Sequence, residues 1–287
     1  MKNKNKFLPR TLVSDIEFEG NGIHTNKRCK VRVVPFSECE NMRSSENLVV
    51  NFISDGIKID ADVKNVVDTR NCTVLGSNKI RISTVEHFMS AVYGLGISGL
   101  NVYVYGQELP GFDGSAKEFV RGFKKVGFRN SVIEGRIWRI KRELNFELKN
   151  SKYRVVPAKN FQVYCEVDYD IIGKQRFELE VTSESYSKEI SLAKTFCYYR
   201  DVEKLREMGL GKGGTLENVV VIGDKGIINK EVLSYGESEI VRHKILDFIG
   251  DFALLGIRVN GRVEVFNPSH YTNIEFVKYL KQFLLEE

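Results

Sequence analysis

His243, Asp247 and Asp251 stand at four-residue intervals in the segment VRHKILDFIGD, so a helix there sets all three along one face. An imidazole and a carboxylate at that spacing can converge on one metal ion. A third ligand from elsewhere would leave a fourth position open for water, as a catalytic zinc ion requires. Val241, Ile245, Phe248, Phe252 and Leu255 fall on the opposite side, which predicts an amphipathic helix over 238–255 with one face in the core. Taken alone, the same pattern also describes a solvated helix face with an incidental His–Asp contact.

Two further segments bear on that choice. RISTVEH sets Glu86 beside His87, the pairing expected if His87 binds a metal and Glu86 takes a proton from water there. Glu86 also follows Ser83 by three residues, a capping-box spacing that would give it a structural task in a helix over 83–93. NPSHYTN presents His270 in a loop directly after a strand, where it either reaches a cleft or is an ordinary surface histidine.

These residues need elements to hold them. CKVRVVPF, NLVVNFI, IKIDADV and NVYVY read as strands in the first half; IWRIKREL, SKYRVV, FQVYCEVDY, QRFELEV, NVVVIG and GRVEVF do so in the second. Further helices are expected over 116–126, around 202–208 and over 273–285, with turns at PGFDGS and the glycine-rich GLGKGG. Polar breaks fall at Ser44–Asn47 and Arg129–Glu134; the second is the expected boundary between domains at 1–130 and 131–287. A short echo relates them: His87 leads through a helix to Gly96-Ile97 and a strand, and His243 does the same to Gly256-Ile257.

Composition narrows the class. With 287 residues, 42% of them apolar and 28% charged, the chain can bury a core without staples. Its five cysteines are odd in number and contain no C-x-x-C pair, which argues against a disulfide scaffold and for a reducing cytosol. No run of 18 apolar residues suggests a membrane span, and no apolar stretch after the basic start suggests a signal peptide. The net charge of +5 is interspersed, and its densest cluster (Lys2, Lys4, Lys6, Arg10) lies on a tip expected to fray. A nucleic-acid partner is therefore not expected, and the charge suits an anionic small ligand or an acidic membrane surface equally well.

Taken together, GNGIHT, DTRNCTVL, RISTVEH, LPGFDGSAKEFV, AKTFCYYRDVEKL with GLGKGGTLEN, EIVRHKILDFIGD and NPSHYTN resemble the UDP-3-O-acyl-N-acetylglucosamine deacetylases of lipid A biosynthesis, in order and across nearly the whole chain. The resemblance implies an α+β fold of two similar domains, each a sheet with helices on one side, with the active site between them. It implies that His87, His243 and Asp247 bind Zn2+, that Glu86 is the general base and His270 the general acid, and that Asp251 supports His270. Thr195 matches the residue that helps hold the oxyanion. Lys244, His24, Asp168 and Tyr169 match positions near the substrate, the last two as the pair that would hold uracil. Cys72 matches a position near the site mouth, where packing is the plainer role. The run Leu216–Ile222 falls where the family makes a passage for the acyl chain; by periodicity it is a buried strand.

The resemblance implies a cytoplasmic hydrolase acting on a UDP-linked acylated amino sugar, monomeric by expectation and with at most peripheral membrane contact. Two departures touch the catalytic loop: Ser269 stands where glycine commonly precedes the histidine, and Asn267 where a basic residue often stands. A zinc amidase on another N-acyl sugar, or a non-catalytic nucleotide-sugar binding module, are the alternatives.

Overall fold

The computed structural model describes residues 6–7, 9–37, 48–130 and 135–285. The break at Ser44–Asn47 and the residues 131–134 of the expected boundary lie outside them. The described helices are α1 (Glu86–Gly94), α2 (Lys117–Val126), α3 (Ser183–Glu189), α4 (Val202–Glu207), α5 (Glu239–Ala253) and α6 (His270–Leu285).

Two sheets carry most of the strands. One runs Ile16–Asn21, Arg28–Pro35, Leu100–Tyr105, Val50–Ser54, Ile57–Asp60 in spatial order, antiparallel except where Leu100–Tyr105 pairs with Val50–Ser54. The other has seven strands built around Arg258–Phe266, which runs parallel to Gly135–Arg139 and Phe161–Tyr169 and antiparallel to Ser151–Val156. Lys6–Phe7 pairs with Gly135–Arg136 at its edge, so these two residues of the basic tip are held in a ladder instead of fraying; Lys2 and Lys4 lie outside the described residues.

The sheets face each other through their helices, an α+β arrangement. Phe88 of α1 meets Phe52 of the five-stranded sheet with ring centroids 5.8 Å apart, and Phe252 of α5 stacks on Phe161 of the seven-stranded sheet at 5.1 Å. Between them α1 and α5 pack against each other, and a single apolar core spans both sheets. Gly250 makes that approach feasible: a Cβ there would stand 2.1 Å from the Glu86 carbonyl oxygen.

The expected two-faced helix is corrected by this packing. Every residue of α5 except Arg242 is buried, so its His243–Asp247–Asp251 stripe faces protein and not solvent. A helix sandwiched between layers needs no wet face, which the apolar pattern of one side alone did not reveal. The solvated-face reading fails with it.

Two helix starts also differ from expectation. α1 begins at Glu86 with no side-chain cap, because Ser83 is drawn into a bridge with Glu108. α6 begins at His270, not at Asn273. There Ser269 and Thr272 cap reciprocally: the Thr272 N–H donates to Ser269 Oγ at 3.3 Å, and the Ser269 N–H donates to Thr272 Oγ1 at 3.0 Å. Ser269 thus fixes the turn that carries His270. α3, which the sequence pattern does not announce, is a polar segment opened by a Thr182–Ser185 capping box, with Tyr186 as its buried residue.

Candidate active site

α1 and α5 bring His87, His243 and Asp247 together. One ligand-capable atom from each lies within 4.8 Å of the others, and among the described residues no second cluster of this kind occurs. Asp247 Oδ1 is 3.2 Å from His243 Nε2 and 3.7 Å from His87 Nε2. His243 Nδ1 sits 3.0 Å from the Ala193 carbonyl, which selects the tautomer that turns Nε2 towards the cluster. Lys244, buried beside them, donates to Asp247 Oδ2 at 2.9 Å. Burial opposes ionisation of Asp247, yet His243 and Lys244 hold its carboxyl well below the usual range.

The opposite wall holds a facing pair of titratable groups. Glu86 is buried and its Oε2 accepts the Thr73 N–H at 3.0 Å, so the capping task foreseen for it is not the one it performs. His270 Nδ1 is 2.9 Å from Asp251 Oδ2, which points Nε2 at Glu86 Oε1 and Asp247 Oδ2, each 3.9 Å away. Those gaps are too long for hydrogen bonds, so the two groups face each other without neutralising one another. Burial raises the Glu86 carboxyl to about 8, with His270 opposing and Asp251 and Asp247 adding to the rise. For His270, burial favours the neutral form but is outweighed by Asp251 and Asp247, and its pKa rises to about 9.

Residues that no motif singled out build this geometry. Thr73 donates its hydroxyl to Asp251 Oδ1 at 2.5 Å while its N–H holds Glu86, so one residue ties the two carboxylates together. Asn273 donates to Asp251 Oδ2 at 2.9 Å, filling the remaining space beside His270. Thr73 lies inside DTRNCTVL, but a threonine carries no chemical signature of its own.

A cavity of about 740 Å³ has a lining that includes His24, Asn71 and Thr195 together with Phe196, Leu205, Met208, Leu216, Val219 and Val221, and Phe196 is the lining residue whose ring stands 6.1 Å from that of His243. The strand Val220–Gly223 alternates. Val221 faces this cavity, and Val220 and Ile222 pack with Ile240 behind it, a division that periodicity alone left open. His24 Nδ1 accepts the Gly211 N–H at 3.4 Å, and burial lowers its pKa. Thr195 is placed by its N–H to the Gly114 carbonyl at 2.8 Å.

Asp168 and Tyr169 stand further off. Asp168 is exposed, and its N–H donates to Asn267 Oδ1 at 2.8 Å. Tyr169 packs on Phe196 at 5.8 Å, and Phe196 in turn lies 6.1 Å from the His243 ring. Asn267 thus tethers the Asp168 strand to the loop before His270.

Comparison with known proteins covers the stretch of chain that contains this site. The family model described as LpxC, UDP-3-O-acyl N-acetylglycosamine deacetylase, matches residues 9–282. A UDP-3-O-acyl-N-acetylglucosamine deacetylase of Campylobacter hominis is 38% identical over 267 residues, covering 92% of this chain and 88% of its own. Proteins of the same name from Syntrophotalea carbinolica, 34% identical over 273 residues (93% of this chain, 86% of that one), and Campylobacter fetus subsp. fetus, 36% identical over 266 residues (92% and 88%), match to similar extents. With its motifs in order along nearly its full length, the chain belongs to the UDP-3-O-acyl N-acetylglycosamine deacetylase family.

Proposed function

We propose that this chain hydrolyses the N-acetyl amide of UDP-3-O-acyl-N-acetylglucosamine, giving UDP-3-O-acyl-glucosamine and acetate in lipid A biosynthesis, and that it uses zinc to do so. Family membership supports the deacetylation. One observation supports the metal: Asp247 Oδ1 is buried, ionised and has no hydrogen-bond partner, while the nearest groups to it are two imidazole nitrogens. An orphaned buried carboxylate oxygen is costly unless a cation completes it. His87, His243 and Asp247 are therefore the residues that would hold zinc, and a bound ion would polarise the amide carbonyl and acidify water beside it.

The rest of the work falls to side chains. Glu86, fixed by the Thr73 N–H, is set to accept the proton of the attacking water; burial alone favours its protonated form, and a cation held by the neighbouring His87, His243 and Asp247 would favour the carboxylate that accepts. His270, kept protonated by Asp251, is set across the gap to give a proton to the departing amine. Thr195 supplies a donor at the cavity wall where the oxyanion would develop. Lys244 saturates one oxygen of Asp247 and leaves the other for the metal. His24 lines the cavity and would meet the polar part of the substrate, Asp168 and Tyr169 would meet the uracil, and the apolar lining residues would take the acyl chain.

No described helix is long and apolar enough to cross a membrane. The four described cysteines are unpaired, which suits the cytoplasm that the reading assigns. The deciding experiment measures zinc content and acetate release from UDP-3-O-acyl-N-acetylglucosamine on the same preparation. One zinc per chain with turnover lost on chelation and restored by zinc is the expected result; turnover indifferent to chelation overturns the metal. Faster release from a sugar lacking the 3-O-acyl group would favour another N-acyl sugar as substrate.

A further inference from the structure

Glu108 is 2% exposed, and its carboxylate gathers four donors, none of them charged. Oε1 accepts the His24 N–H at 2.8 Å and the Thr84 hydroxyl at 3.2 Å. Oε2 accepts the Thr25 N–H at 2.8 Å and the Thr25 hydroxyl at 2.6 Å. Three of these donors belong to the loop that carries His24. The fourth belongs to Thr84, two residues before Glu86.

Both ends of this link are built for it. Thr84 has a φ of 59°, a left-handed conformation that a β-branched residue adopts only when its surroundings impose it. The backbone beside it is pinned to the same segment: the Ser83 N–H donates to the Gln107 carbonyl at 2.9 Å, and the Leu109 N–H to the Ser83 carbonyl at 3.0 Å. In the His24 loop, Gly22 leaves the carboxylate room, since a Cβ there would stand 2.1 Å from Glu108 Oε2.

We infer that Glu108 is a positioning residue, whose single buried carboxylate locks the His24 loop onto the entry of α1 and so holds His24 in register with Glu86 and His87. The inference rests on the deacetylase reading for what His24 does once held. A carboxylate suits the task because both its oxygens only accept; a glutamine would turn an N–H towards one of the two donor pairs.

The test compares Glu108→Gln in the native chain and in a His24→Ala background, reading acetate release from UDP-3-O-acyl-N-acetylglucosamine, zinc content, and amide hydrogen exchange over residues 20–27. Positioning through His24 predicts a fall in kcat/KM of about ten- to hundredfold in the native chain but under about threefold in the His24→Ala background. Zinc content should hold, and exchange in the loop should rise about tenfold. Equal losses in both backgrounds, or unchanged loop exchange, overturn the inference. Thr25→Val, which removes one donor and keeps the carboxylate, should show the same dependence on His24 at about three- to tenfold; if Glu108→Gln does not fold, this variant decides alone by the same readouts. If the native chain releases no acetate, the deacetylase reading fails, and the exchange measurement still decides whether Glu108 holds the loop.

Discussion

α1 and α5 each carry a histidine to the same cluster, and both are buried almost throughout, yet they deliver their side chains differently. α5 presents His243, Asp247 and Asp251 from its interior, where the 3.6-residue period alone aligns them. α1 presents Glu86 and His87 from its first turn, and what aims them lies outside the helix: Thr73 on Glu86, the strained Thr84, and Gly250 of α5 against the Glu86 carbonyl. One half of the site is set by local geometry and the other by tertiary contacts. Substitutions of the α5 stripe itself should therefore act through the groups removed, whereas the α1 half should also be open to damage from a distance.

The largest effect tests this division at its centre. His243→Ala should abolish zinc binding and with it turnover, while Glu86→Gln should keep the metal and lower kcat by about 10²–10⁴. Metal analysis beside steady-state kinetics separates them, and loss of zinc in Glu86→Gln would mean that the α1 half collapses as a unit. Gly250→Ala comes next. It places a methyl group against the Glu86 carbonyl without touching any functional side chain, and overpacking of this kind costs about 1–3 kcal/mol. Urea unfolding should show that loss, and activity at a temperature where the variant is fully folded should still be reduced, because Glu86 and His87 are displaced.

Asp251→Asn probes α5 as a source of charge. Burial favours neutral His270 and Asp251 is the largest opposing influence, so removing its charge should lower the His270 pKa. The alkaline limb of the pH–rate profile should then move to lower pH, with roughly a tenfold loss of kcat above neutrality; an unmoved limb would assign it to another group.

The smallest effect lies outside both helices, where Lys194 beside Thr195 donates to Asp113 Oδ2 at 3.0 Å. Burial alone would raise the Asp113 pKa, but hydrogen bonds from Ser115 and Lys194 outweigh it and hold it below its ordinary value of 3.8. A carboxyl depressed in the folded state contributes stability that is present above the unfolded pKa and is lost as pH falls through the folded one. Asp113→Asn should thus cost about 1 kcal/mol at neutral pH, and the difference from the native chain should shrink below about pH 4. A difference constant with pH would show that the charge on Asp113 contributes nothing.

Legibility followed the same line. Strands such as Ser151–Val156 and Phe161–Tyr169 coincide with their alternating segments because each has one face on the core and one towards solvent. The His243–Asp247–Asp251 stripe was visible for the same reason, a period expressed within one element. Thr73, Asn273, Glu108 and Gly250 were not visible as functional residues, since each acts on a partner distant in the chain. Ser83 shows how a local rule fails: the capping-box spacing to Glu86 is present, but the bridge to Glu108 takes the residue out of helical reach.

By itself the sequence determined the period of each element and the identities of residues that could bind metal or move protons, because these depend on neighbours within a few positions; the α+β class came through the resemblance that its motifs carry. The tertiary structure alone decided that the α5 stripe would be buried, that Asp247 would keep one oxygen unpartnered, and that Glu86 and His270 would face each other 3.9 Å apart. Those outcomes depend on two helices from different sheets meeting at Gly250 and on buried polar groups finding distant partners. Spacing along the chain does not encode such distances; close packing of the core imposes them.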